Sequence, residues 1–192
     1  MSVTSIPNGK SKEETIARGY DDVASIYERT TDLFTGGQNL VCRLSQVEEF
    51  KPGERVLYVG VGPGEDALAA AQRQARVTCL DLSPGMVERV RQRFVSAGQS
   101  GEFVCANIMD YTPDEPCDVV VANFCLNVFS RPVMEQVLAR LASLVRAEGK
   151  LLIADFAPAQ GNILQRAQHH LYYVTTLVPH WLTGLCALHP IY

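Results

Sequence analysis

Three glycines, Gly60, Gly62 and Gly64, close the apolar run Val56-Leu-Tyr-Val59, and a helix-favouring stretch, Asp66-Ala-Leu-Ala-Ala-Ala71, starts directly behind them. Glycines at a strand-to-helix turn let the backbone approach a ligand that side chains would exclude, and the unpaired N–H groups at the helix start can hold a polar group. That chemistry is binding, and the group it suits is a nucleotide-type cofactor. A dinucleotide turn reads G-x-G-x-x-G with a carboxylate about 20 residues on for the ribose; here the glycines fall as G-x-G-x-G, with Pro63 between the last two. Asp81 ends the next apolar run, Val77-Thr-Cys-Leu80, and its two oxygens suit a vicinal ribose diol. The competing use of Asp81, capping the helix that opens at Ser83-Pro84, is already served by Ser83 with Pro84 at the first helical position.

Other reactive residues are less organised. The six cysteines, Cys42, Cys79, Cys105, Cys117, Cys125 and Cys186, form no C-x-x-C pair and read as reduced thiols of a cytoplasmic protein, with no metal site. His169 and His170 stand with Tyr172 and Tyr173 among Leu164, Leu171, Val174, Leu177, Trp181 and Leu182, an apolar and aromatic wall suited to a greasy or aromatic substrate. Imidazole titrates near neutrality, so either histidine is a candidate general base; a plain surface or core role is the alternative for each. Gln165, Arg166, Gln168 and Pro179 interrupt this stretch, which argues against a membrane span while leaving peripheral contact open. The polar start of the chain has no apolar signal segment.

The elements that must position these residues alternate. Helical patterns at 12–30 and 36–48 precede a strand at 55–59, a helix at 65–74, a strand at 76–80 and an amphipathic helix from Pro84 to Gly98. Strands at 102–105 and 118–123, a helix at 131–146 and a strand at 150–154 follow. Apolar strands without alternation are those buried on both faces, so the order predicts an α/β fold, a doubly wound, mostly parallel sheet. One domain accommodates all 192 residues: N-terminal helices over the site (1–50), an α/β core (51–158) and a helical substrate-side segment (159–192). A net charge of −4 offers no basic field for nucleic acid. Ligands of open parallel sheets sit at the carboxyl ends of the strands, where Gly60 to Gly64, Asp81-Leu82-Ser83, Asn107-Ile108 and Asn123-Phe124 should converge.

The G-x-G-x-G turn followed by Asp81 resembles motif I and the acidic loop of class I S-adenosylmethionine-dependent methyltransferases. Gly19-Tyr-Asp-Asp-Val-Ala-Ser-Ile-Tyr-Glu28, Leu33-Phe-Thr-Gly-Gly37, Phe124-Cys-Leu-Asn127 and Leu144-Val-Arg-Ala-Glu-Gly-Lys-Leu-Leu-Ile153 are similar to segments of the ubiquinone/menaquinone C-methyltransferase group, over about 20–178. The resemblance implies a Rossmann-like methyltransferase fold, S-adenosylmethionine as cofactor and a small aromatic, quinone-like or lipophilic acceptor. It implies that Asp81 holds the ribose, that Met86 packs on the adenine, where core filling is the alternative for a helical Met, and that Asn107 meets the adenine amino group, with Leu82 and Ile108 as further cofactor contacts. Asp110 competes with Asn107, and an Asx turn is the bland reading of either. It further implies that Asn123 and Tyr27 line the cofactor and that Tyr20, Phe124 and Asn127, with Tyr172 and Tyr173, line the acceptor site. Simple packing of an amphipathic helix would equally place Tyr20 and Tyr27 on one face.

The chain departs from the pattern at three positions. Tyr58 stands where relatives carry Asp or Glu; it can bond through its hydroxyl near the cofactor or serve as a core aromatic. Asn39 stands where the group has His, and Asn127 where it has Arg. The resemblance also implies about two further strands, so the fold reads as shortened at its C-terminal end, with the last helices or a second subunit of a homodimer over the sheet edge. The alternatives to methyl transfer are an S-adenosylmethionine-binding enzyme that transfers another group and a non-catalytic binding protein.

Overall fold

The computed structural model describes residues 37–155. Tyr20, Tyr27, His169, His170, Tyr172 and Tyr173 lie outside the described residues. Within them, helix α1 (Gln38–Gln46) and a 3-10 turn (Val47–Glu49) lead into β1 (Arg55–Val59), α2 (Glu65–Gln72), β2 (Arg76–Asp81), α3 (Pro84–Ser96) and β3 (Glu102–Cys105). Then come β4 (Cys117–Asn123), a 3-10 turn (Leu126–Val128), α4 (Arg131–Leu144) and β5 (Val145–Ala154).

The five strands form one sheet in the order β3-β2-β1-β4-β5, and every pairing is parallel. The apolar runs at β1 and β4 end up at its centre because each is buried on both faces. Tyr58, Val77, Cys79, Val119 and Val121 face one layer with Val90 and Phe94 of α3 and the alanines Ala67, Ala70 and Ala71 of α2. Leu57, Val59, Leu80, Val120 and Ala122 face the other, against Val137, Leu141 and Leu144 of α4. The small side chains of α2 let that helix lie close on the sheet, which brings its first turn under the strand ends. Chain order turns back at β1: β2 and β3 extend to one side and β4 and β5 to the other. This places the Gly60–Gly64 turn at the switch point.

Several boundaries differ from the sequence expectation, and two of them have a plain physical cause. α2 stops at Gln72, because Gln74 adopts φ +67° and the chain turns there into β2. α4 ends at Leu144, and Val145 already pairs with Cys117 of β4; a bulge with Glu148 at φ +65° intervenes before Lys150 pairs with Val119. The apolar spacing Leu141, Leu144, Val145 suits a helix as well as a strand start, so backbone pairing with β4 decides. Ser83 caps α3 as expected: its Oγ accepts the Met86 amide at 3.1 Å, with Pro84 in the first turn. Among the described residues no helix is long and apolar enough to cross a membrane, and no group of three or more His, Cys, Asp or Glu side chains is placed to hold a metal.

Candidate functional site

The turn after β1 is held in an unusual backbone shape. Gly60, Gly62 and Gly64 have φ of +62°, +54° and +72°, a region that L-residues occupy only at a cost. The turn is anchored at its start by the Gly60 and Val61 amides donating to the Leu80 carbonyl at 2.9 and 3.4 Å. A Cβ on Gly60 would meet Cys125 Cβ at 2.9 Å, and one on Gly64 would meet both Val90 methyls at 2.9 Å, so packing adds to the conformational reason at these two positions. Gly62 is different. Among the described residues a Cβ there would find only the Gly60 carbonyl, at 4.0 Å, so within them this glycine faces open room.

Asp81 completes the edge of that room. Its Oδ1 accepts the Ser83 amide at 2.9 Å, and its Oδ2 faces the Gly62 amide at 3.4 Å. The end of β2 is thereby joined to the middle of the glycine turn, the juxtaposition that the spacing of Gly62 and Asp81 implied. A carboxylate offers about four acceptor sites, so Asp81 can serve several donors at once. Leu82 is 39% exposed beside it, whereas Met86 is buried at the start of α3.

Beyond β3, the Ala106 amide donates to the Asp81 carbonyl at 3.1 Å, which brings the Asn107 turn alongside. Asn107 Oδ1 accepts the Met109 amide at 3.0 Å, and the Asn107 carbonyl accepts from Asp110 and Tyr111. The Asx-turn use of Asn107 is therefore present, with one lone pair of its oxygen remaining for another donor. Asp110 is exposed. Ile108 is buried in the layer that packs on α4, so its side chain belongs to the core, and its carbonyl accepts from Arg140 Nε at 3.4 Å.

Tyr58 also points into the core. It is 3% exposed, meets Phe50 edge-on with ring centroids 6.4 Å apart, and its hydroxyl donates to the Asp66 carbonyl at 3.1 Å. Burial pushes its hydroxyl pKa up, reinforced by the nearby Asp66 charge, so it stays neutral.

The carboxylate absent from Tyr58 has a counterpart that the sequence reading passed over as part of a helix-favouring stretch. Asp66, in the first turn of α2, is 2% exposed. Its Oδ2 accepts Asn123 Nδ2 at 3.2 Å, and its Oδ1 lies 3.6 Å from Arg43 Nη1 of α1 with no hydrogen bond. Asn123, at the end of β4, also donates to Gln46 Oε1 at 2.8 Å and accepts the Ala154 amide at 3.0 Å. Arg43 and Arg93 both reach Glu65, at 3.3 and 3.1 Å. A polar residue so soon after Gly64, in an otherwise alanine-rich helix, was the one available signal.

After β4, Phe124 takes φ +52°, strained for a bulky residue. Its amide donates to the Ala154 carbonyl at 2.7 Å. Cys125 donates to the Val59 carbonyl at 3.6 Å, and burial pushes its thiol up to about 12, which favours the protonated form. Asn127 is 4% exposed; its amide faces Asp155 Oδ2 at 3.3 Å, while its side-chain Oδ1 has no hydrogen-bond partner among the described residues. A buried acceptor left open is costly unless something supplies a donor. The strand ends of β1, β2 and β4 thus gather Gly62, Asp81, Asn123, Phe124 and Asn127 at one end of the sheet.

Comparison with known proteins places the fold and the sequence beside methyltransferases. Residues 56–149 match the methyltransferase domain family. The chain is 29% identical over 150 residues to the demethylmenaquinone methyltransferase of Clavibacter sepedonicus, covering 77% of this chain and 60% of that protein. It is 26% identical over 180 residues to the ubiquinone/menaquinone biosynthesis C-methyltransferase of Teredinibacter turnerae, covering 88% and 70%. The chain thus spans three fifths of the length of the Clavibacter relative. The fold is similar to that of magnesium protoporphyrin IX methyltransferase from Synechocystis PCC 6803 with bound S-adenosylmethionine, at a TM-score of 0.62 and 18% identity, covering 88% of each chain.

Proposed function

We propose that this chain is a class I S-adenosylmethionine-dependent methyltransferase, a reading supported by the match of residues 56–149 to the methyltransferase domain family, and that it transfers the methyl group of S-adenosylmethionine to a small aromatic, quinone-like or lipophilic acceptor. The observation that carries this reading is the space in front of Gly62 beside the Asp81 carboxylate. That pairing suits an adenosine laid along the strand ends, with its ribose hydroxyls donating to Asp81.

Charge favours this cofactor over a dinucleotide. Glu65 and Asp66 fill the first turn of α2, where they use the positive end of the helix dipole. A pyrophosphate placed there would meet two carboxylates. A cofactor with no phosphate meets no such repulsion.

S-adenosylmethionine, when bound, supplies a methyl group already activated by its sulfonium. The protein must hold the cofactor, orient the acceptor in line and exclude water. Asp81 and the Gly60–Gly64 turn hold, with Leu82, Met86, Asn107, Ile108, Asn123 and Tyr27 as further cofactor contacts. The demethylmenaquinone and ubiquinone/menaquinone relatives support a quinone-like acceptor. Strained Phe124 and the open Asn127 oxygen are the described features suited to orienting one, with Asn127 accepting a bond from an acceptor hydroxyl. Tyr20, Tyr172 and Tyr173 complete the proposed acceptor wall, and His169 or His170 is the proposed base for a hydroxyl or ring carbon.

The experiment is product analysis with methyl-labelled S-adenosylmethionine and a panel of phenols and quinols. Label in an acceptor together with S-adenosylhomocysteine supports methyl transfer. Cofactor consumed without a methylated product would replace it with transfer of another group.

A further inference from the structure

We propose that Asp66 is a positioning residue: its carboxylate, placed between Arg43 and Asn123, ties the glycine turn to the end of β4 and so sets the affinity for the cofactor. The assignment rests on the reading of the turn as an S-adenosylmethionine site.

Position comes first. Asp66 follows Gly64 by two residues, so whatever fixes its side chain fixes the C-terminal limb of the turn. Two of its groups are held: the backbone carbonyl by the Tyr58 hydroxyl from β1, at 3.1 Å, and Oδ2 by Asn123 Nδ2 from β4, at 3.2 Å. Asn123 in turn is fixed by Gln46 of α1 and the Ala154 amide of β5. One buried carboxylate therefore lies where four elements meet, between the end of β4 and the glycine turn.

A burden this size is out of proportion to a structural bond. Burial disfavours the charged form of Asp66 and raises its pKa, against the lowering effects of Arg43 and Asn123. Arg43 approaches only to 3.6 Å, and among the described residues neither its Nε nor Asp66 Oδ1 has a hydrogen-bond partner. A buried pair that imperfect adds little to stability. The sign of the linkage agrees: a carboxyl whose folded pKa lies above its unfolded value loses stability on ionising, so the fold gains stability as pH falls through the folded pKa. Retaining a charge at a cost to the fold is a pattern found where function needs it.

The charged and titratable groups around Asp66, among the described residues, are Arg43 from α1, Glu65 from its own helix, Tyr58 from β1 and Cys79 from β2; Arg93 of α3 acts through Glu65. Tyr58 and Cys79 have their pKa values raised and stay neutral at neutral pH. Glu65 is already engaged by two arginines. Asp66 is therefore the group whose ionisation changes the pull on Asn123 as pH falls through its raised pKa.

The test measures S-adenosylhomocysteine binding by calorimetry, and urea midpoints, for the wild-type chain and Asp66→Asn from neutral pH downward. The assignment predicts that Asp66→Asn binds about tenfold more weakly at neutral pH, the scale of one charge-assisted hydrogen bond, while its urea midpoint holds or rises. Wild-type affinity should fall on acidification through the raised pKa, and the variant's should stay flat. Equal affinity of variant and wild type, or affinity and stability falling together, overturns it. If Asp66→Asn does not fold, the wild-type titration decides, and a flat profile overturns the assignment. No binding by folded wild-type protein at any pH instead removes the cofactor reading itself.

Discussion

Gly62→Ala separates ligand space from fold geometry. Among the described residues the added methyl meets nothing closer than the Gly60 carbonyl at 4.0 Å, so the folding cost there is that of placing an L-residue at φ +54°, about 1–2 kcal/mol. For a chain of this size that lowers the melting temperature by roughly 2–8 °C. The same methyl projects into the room beside Asp81, and displacing a ligand there by a fraction of an ångström should cost about 1.4–2.8 kcal/mol of binding, a roughly 10- to 100-fold loss. Gly64→Ala is the internal contrast. Its φ is +72° and its Cβ would press on both Val90 methyls at 2.9 Å, so overpacking of about 1–3 kcal/mol adds to the backbone cost. Thermal unfolding and S-adenosylhomocysteine calorimetry on both variants give the comparison. Gly62→Ala should be the more stable of the two and still bind weakly. Wild-type affinity in Gly62→Ala would refute the claim that this space is the cofactor's.

Ser83→Ala removes the cap of α3, where the Ser83 Oγ accepts the Met86 amide; unfolding free energy should fall by about 1 kcal/mol in denaturant titration. Asp118 accepts the Arg55 amide at 2.7 Å and Arg146 Nε at 2.5 Å, which hold its carboxyl below the usual carboxylate range, the Arg55 amide most strongly. A depressed carboxyl pKa contributes stability that is present above the unfolded value, about 3.9, and lost as pH falls through the folded value. Asp118→Asn should therefore lower the urea midpoint at neutral pH, and the gap from wild type should close in acid.

Much of this was legible because single residues carry single reasons. An apolar run ending in alternating glycines admits few structures other than a strand feeding a tight turn, and Ser83-Pro84 states a helix start outright. Asp81 could be placed beside Gly62 because parallel strands in register bring successive strand ends together. The tertiary polar network was not legible. Arg43 and Asp66 are 23 positions apart and Asn123 is 57 beyond Asp66; nothing local marks them as partners, and Asp66 looks like an ordinary acidic residue at a helix start. Tyr58 could not be resolved between core and site until Phe50 and the Asp66 carbonyl were seen to engage its ring and hydroxyl. The start of β5 failed for a related reason, since Val145 satisfies helical spacing and the pairing with Cys117 is set from 28 residues away.

The most direct test of the account is calorimetric titration of the full chain with S-adenosylmethionine and S-adenosylhomocysteine, beside Asp81→Ala. The account predicts micromolar binding of both by the wild-type protein and its loss in the variant, with the fold retained by circular dichroism. No binding by folded wild-type protein, or undiminished binding by Asp81→Ala, would contradict it.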